Sequence, residues 1–207
     1  MTSKFDFDAV PNMSKKVLTV RDIISPTDVG VTIMHEHIFL DLRKTHLPEP
    51  TNPATDFPAT ELGIWESKVR LGNLHMARDW APIADNYILS DEYLACTEVQ
   101  EFKKYGGNTI VDVTSIGLKR DPKALRRLSE TTGLNIVMGT GYYQPVYHPN
   151  NMDQRTVDEL TDDIVSDVVI GAAGTGIRAG LIGEIGVNGN PIIQNEVKSI
   201  GAAARAS

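Results

Sequence analysis

Gly106-Gly107-Asn108-Thr109-Ile110-Val111-Asp112-Val113-Thr114 is the stretch on which the fold turns. A glycine pair stops whatever precedes it, and residues 108–114 form a β-branched run that reads as a strand. Working outward, Ser90 is a candidate N-cap for a helix through Lys104 that the glycine pair ends. On the other side, Asp121-Pro122 places a capping carboxylate before a proline at the first helical position. Ala124, Leu125 and Leu128 give that helix an apolar face, and Gly133 ends it. Residues 135–139 read as the next strand. Thr156 and Glu159 form a capping-box pair before Val157, Leu160, Ile164 and Val168 at helical spacing. Residues 179–186 read as a further strand, and Asn190-Pro191 as the start of a last helix running toward Ser207. Upstream, residues 31–37 are the first core strand, residues 17–20 are β-rich, and 22–30 suggest a hairpin. Residues 1–14 are expected to form a flexible arm, and 15–207 the folded body.

Strand and helix thus alternate four times, which implies a parallel sheet. Four βα units make either a small doubly wound sheet or half of an eight-fold barrel, and periodicity does not choose between them. No Gly-x-Gly-x-x-Gly follows the first strand, which weakens a dinucleotide reading. The chain stops at Ala-Arg-Ala-Ser with no closing polar cap, which favours an incomplete structure. Residues 44–86 carry prolines at 48, 50, 53, 58 and 82 and read as a long functional loop. A helix is expected near Glu61–Ala77, with Trp65 and Trp80 packing in the loop.

Hydrophobic residues make up 41 % of the 207, enough for a core, and the net charge is −7. An acidic chain without a basic patch argues against nucleic acid and anionic membranes as partners. The single cysteine, Cys96, cannot form an intrachain disulfide and reads as helix core. With no signal-peptide pattern and no apolar run of membrane length, the expected location is cytoplasmic.

His35 and His37 carry the strongest chemical signal. Residues two apart on a strand share a face, so both imidazoles can grip one metal ion, while Glu36 points toward the helices. An accidental His-x-His is the competing reading, because ligation needs further donors. Glu184, in Gly183-Glu184-Ile185-Gly186, sits where a parallel barrel places its active face. Its carboxylate can bridge two cations, or it is a solvated glutamate beside a glycine turn. Asp112 and Thr114 share a strand face and either orient ligands or are satisfied interior polar groups. Tyr142 and Tyr143 line a pocket or sit exposed in a loop. Arg120 reads as a surface ion pair, and His46, His75 and His148 as ordinary loop histidines. No Ser-His-Asp order suggests a triad.

Together these segments resemble a known family. Residues 17–21 and 30–37 are similar to the opening of phosphotriesterase-related amidohydrolases. So are 106–114, Arg120-Asp121-Pro122, 132–137, 139–143 with Tyr147-His148-Pro149, and 179–186. The resemblance spans nearly all of residues 14–207. It implies an α/β fold, a TIM (β/α)₈ barrel, of which this chain holds about the first four βα units. It implies two divalent metal ions, usually zinc, with His35 and His37 on the more buried one. Glu184 is the implied bridging ligand and the catalytic residue this chain supplies, since the strand has no lysine. Tyr143 matches a substrate-binding position. The family's remaining ligands, on strands five, six and eight, fall beyond Ser207. The implied activity is hydrolysis of ester, lactone, phosphotriester or amide bonds in a small-molecule substrate by a metal-bound hydroxide, with the fragment itself inactive. The alternative is a non-catalytic half-barrel that binds or assembles, forming homo-oligomers or aggregates through its open sheet edges.

Overall fold

A computed structural model describes residues 5–6, 10–45 and 58–207. Much of the expected N-terminal arm, with His46 and the prolines at 48, 50 and 53, lies outside the described residues. The strands are β1 (Val17–Leu18), β2 (Ile23–Ile24), β3 (Val31–Glu36), β4 (Leu40–Asp41), β5 (Ile88–Leu89), β6 (Gly107–Asp112), β7 (Asn135–Thr140) and β8 (Leu181–Ile182). The α-helices are α1 (Ala59–Trp65), α2 (Leu74–Arg78), α3 (Glu92–Lys104), α4 (Pro122–Thr132), α5 (Val157–Val169) and α6 (Gln194–Ala206).

The chain divides into two compact units, residues 40–90 and the remainder. The larger unit carries a four-stranded parallel sheet in the order β3-β6-β7-β8. Consecutive strands are neighbours, joined by α3 to α5 as crossovers, as expected of βα repeats. One core cluster joins Ile110, Ile136 and Met138 of the sheet to Leu125 and Leu128 of α4. Cys96 packs against it, as read. A second cluster joins Tyr142, Leu160, Ile164 and Ala202. A short hairpin, β1 against β2, tucks its end onto β7 through Val20 N–H to the Ile136 carbonyl (2.8 Å).

Local chemistry sets the boundaries. Asp91, not Ser90, caps α3: its carboxylate accepts from Tyr93 and Leu94 N–H, a two-donor grip that a hydroxyl one residue earlier cannot make. Asp121 caps α4 at Ala124 N–H, and Gly133 closes it at φ +71°, where a side chain would be strained. Thr156 and Glu159 form the expected box on α5. Asn190-Pro191 does not start α6. Glu196 does: its buried carboxylate accepts the Ile193 and Asn188 N–H groups, so the helix begins at Gln194. The hairpin lies at 17–24 rather than 22–30, and Pro26 opens a 3₁₀ turn. The last strand is two residues long, because residues 183–186 leave the ladder to cross the sheet end.

The smaller unit pairs β4 with β5 and places α1 and α2 where one longer helix was expected. Asp85 separates them in effect, holding Lys68 Nζ (2.6 Å) and Val69 N–H (3.0 Å) in the intervening turn. Trp65 is buried, but Trp80 is 73 % exposed, contrary to its expected packing. Among the described residues no helix is long and apolar enough to cross a membrane.

Candidate metal centre

All four parallel strands end on one side of the sheet, and backbone hydrogen bonds tie those ends together. Val113 N–H donates to the Glu36 carbonyl (2.9 Å), Gly183 N–H to Thr140 (2.7 Å) and Glu184 N–H to Val113 (3.2 Å). The segment after β8 therefore crosses back over β6 and delivers Glu184 to the end of β3. Glycine is required beneath this crossing: a Cβ on Gly139 would overlap the Gly183 carbonyl oxygen.

The three expected ligands converge there. His35 Nε2 lies 3.3 Å from one Glu184 oxygen, and His37 Nε2 lies 3.3 Å from the other. The two rings sit edge to face with centroids 5.6 Å apart. One donor atom from each of the three residues falls within 4.8 Å of the others, and among the described residues this is the group of that kind. A shift in register between Ile33 and Glu36 spans His35 and comes just before His37, a local irregularity that re-aims side chains at a strand end. Glu36 is exposed rather than covered by helices, because β3 is an edge strand here.

Behind the mouth, His37 Nδ1 meets the Thr114 hydroxyl at 3.0 Å. That hydroxyl also bonds Asp112, whose carboxylate accepts Ile38 N–H (2.7 Å) and Thr114 N–H (3.0 Å). With Thr114 donating to Asp112, its oxygen is free to accept from His37 Nδ1–H. The Nε2 lone pair then faces the Glu184 carboxylate, an arrangement of two acceptors that a cation resolves. Asp112 and Thr114 are fully buried, and Thr114 contacts His37 directly while Asp112 reaches it through Thr114.

Electrostatics agree. Burial, helped by His35, lowers the His37 pKa, the direction that favours the neutral ring a metal ligand needs. Burial raises Glu184, partly opposed by His35. Burial pushes Asp112 up to about 6 against the pull of its hydrogen bonds and of Arg120.

Tyr143 stands beside this group. Its ring is half-buried, 5.8 Å from that of Tyr147, and burial together with the Glu184 charge raises its pKa. Tyr142 is turned inward instead, its hydroxyl 2.6 Å from Asp163. Two features escaped the sequence reading. His148 is buried, with Nε2 2.7 Å from the Tyr143 carbonyl, so it holds the loop that carries Tyr143. Arg120 is not a surface residue: it pairs with Asp167 (2.7 Å) and donates to the Gly139 carbonyl (2.7 Å), while Thr140 donates to the same Asp167 oxygen (2.6 Å). Asp167 sits at helical spacing behind Leu160 and Ile164, and an acid on an apolar face was the available signal.

The model of the phosphotriesterase family matches residues 15–207. The chain belongs to the phosphotriesterase family. Among its relatives, N-acetyltaurine hydrolase of Danio rerio is 38 % identical over 194 residues, covering 92 % of this chain and 53 % of that one. The Homo sapiens N-acetyltaurine hydrolase is 33 % identical over 197 residues, covering 94 % and 54 %. A resiniferatoxin-binding protein from Rhodobacter sphaeroides superposes with a TM-score of 0.82 at 36 % identity, covering 93 % of this chain and 52 % of that one. A lactonase from Listeria monocytogenes gives 0.66 at 25 %, covering 92 % and 53 %. This phosphotriesterase-family chain spans about half the length of the relatives it matches, and its sheet is the first half of their (β/α)₈ barrel.

Proposed function

We propose that this chain supplies the first half of a metal-dependent hydrolase site, with His35, His37 and Glu184 as ligands to a divalent cation, zinc being the ion that two imidazoles and a carboxylate suit. The observation that carries the reading is the convergence of those three donors within 4.8 Å at the carboxyl ends of the strands. A cation held there polarises a substrate carbonyl or phosphoryl oxygen and brings the pKa of water toward neutrality. Glu184, with one oxygen toward each histidine, is placed to bridge a second ion, whose other ligands must come from outside this chain. Thr114 fixes the His37 tautomer, and Tyr143 walls the substrate side. The relatives' names favour carbonyl substrates, an N-acyl amide or a lactone, over phosphotriesters. Three ligands without the remainder leave this chain binding a cation without turning over substrate.

The test pairs this chain with one extended to the length of its relatives, each assayed with zinc on N-acetyltaurine and on simple lactones. Cation uptake by both and turnover by the longer chain alone is expected, with His37→Ala removing turnover. Turnover that survives His37→Ala and Glu184→Gln together would overturn the proposal.

A second reading has one observation behind it. Among the described residues β3 pairs only with β6 and β8 only with β7, which leaves both sheet edges open there, and Val31 and Met34 on β3 are exposed. Such edges favour self-association. A concentration-independent monomer in size-exclusion chromatography would count against it.

A further inference from the structure

At the opposite, amino-terminal end of the sheet lies a pocket that the hydrolase reading does not use. It has a volume of about 320 Å³, within the range of small-ligand sites. The β1-β2 hairpin supplies Thr19, Arg21 and Asp22, α4 supplies Arg126, and the approach to β8 supplies Ile177 and Arg178. Three arginines and one acid line it, a local charge of +2 in a chain whose net charge is −7.

Among the described residues, one of the three arginines is in an ion pair. Arg126 holds Glu130 through Nε (2.9 Å), an exposed contact along one helix. Arg21 and Arg178 have no ion-pair partner among the described residues. More telling, Arg21 Nε is buried and has no acceptor. A guanidinium cannot shed its proton to escape that position, and a buried donor left unmade is costly. Asp22, the one acid nearby, is exposed and makes no ion pair among the described residues. Asp22 leaves two of the three positive charges in the lining unbalanced, and the buried Arg21 Nε–H has no acceptor.

We propose that this pocket binds a small oxyanion of about two negative charges, a phosphate group being the best match. Tetrahedral oxygens can take Arg21 Nε–H and the forked donors of Arg178 together. Concave basic walls also raise the local anion concentration. The site is separate from the metal mouth, so it stands or falls independently of the hydrolase reading. Free phosphate and a phosphomonoester share this chemistry.

The test uses the intact chain, stripped of metal on a chelating resin so that phosphate cannot bind at the histidines. Inorganic phosphate is titrated at constant ionic strength, balanced with chloride, while the melting temperature and the arginine side-chain NMR signals are followed. Expected is a saturable rise in melting temperature, with Nε–H shifts at Arg21 and Arg178. Arg178→Gln, a partly exposed position, should weaken phosphate binding at least tenfold while circular dichroism stays unchanged. Glycerol 3-phosphate is titrated in parallel: tighter binding than phosphate identifies a phosphomonoester site, and equal binding identifies a site for the free ion. An equal rise in chloride, or phosphate binding unchanged in both Arg21→Gln and Arg178→Gln, would overturn the proposal. Should Arg178→Gln fail to fold, the Nε–H shifts of the unaltered chain decide it.

Discussion

Replacing Thr114 with valine keeps the shape of the side chain and removes one oxygen. In the structure that oxygen stands 3.0 Å from His37 Nδ1 and also bonds Asp112. Asp112 keeps the Ile38 and Thr114 N–H groups, so its carboxylate is not left bare. The folding cost is therefore that of one hydrogen bond to a charged group, about 1.5–3 kcal/mol, plus about 0.5–1.5 kcal/mol for the contact to His37. His37 loses the contact that sets its tautomer, and its Nε2 is a ligand for only part of the time. Loss of such an outer partner weakens metal binding roughly 10- to 100-fold, or about 1.4–2.7 kcal/mol. Competition against a fluorescent zinc chelator, at a temperature where both proteins are folded, reads this directly. Thr114→Ser should restore affinity, since it returns the hydroxyl. Wild-type zinc affinity in Thr114→Val would refute the orienting role, and so would failure of the serine to rescue it.

Asp167→Ala strands the buried Arg120 guanidinium, and breaking such a pair costs about 3–5 kcal/mol; calorimetry should show a melting point lower by roughly 6–20 °C. Gly139→Ala forces the Gly183 carbonyl away and should lower both stability and zinc uptake, whereas Gly63→Ala, in α1 with nothing within 4 Å, should be neutral or stabilise by up to ~1 kcal/mol. Backbone N–H groups at Asn188 and Ile193 hold the Glu196 pKa below its ordinary value. Its contribution is therefore present above the unfolded carboxyl pKa and lost as pH falls through the lower folded one. Glu196→Gln should destabilise at neutral pH, and the gap from wild type should close below the ordinary glutamate range in chemical denaturation.

The βα order was legible because its punctuation is local. Gly133 and the Asp121 and Thr156 caps act on residues three or four positions away, so their meaning survives without tertiary context. Where boundaries moved, a nearby stronger group won: Asp91 over Ser90, and Glu196 over Asn190-Pro191. The split of the expected Glu61–Ala77 helix follows from Asp85, a partner 16 and 17 residues distant in sequence from Val69 and Lys68. That His35, His37 and Glu184 come together was legible for a topological reason. Parallel strands all finish on one side, so a histidine pair at the end of the first and an acid following the fourth share a mouth. Arg120 with Asp167, His148 under Tyr143, and the arginine pocket were not legible, because each joins residues whose proximity exists only after the sheet has formed.

Zinc K-edge X-ray absorption on the chain loaded with one equivalent of zinc tests the ligand set most directly. Two imidazoles at about 2.0–2.1 Å with carboxylate oxygen are expected, falling to one imidazole in His35→Ala and in His37→Ala. Identical spectra from all three proteins, or zinc that stays bound without either ring, would contradict it.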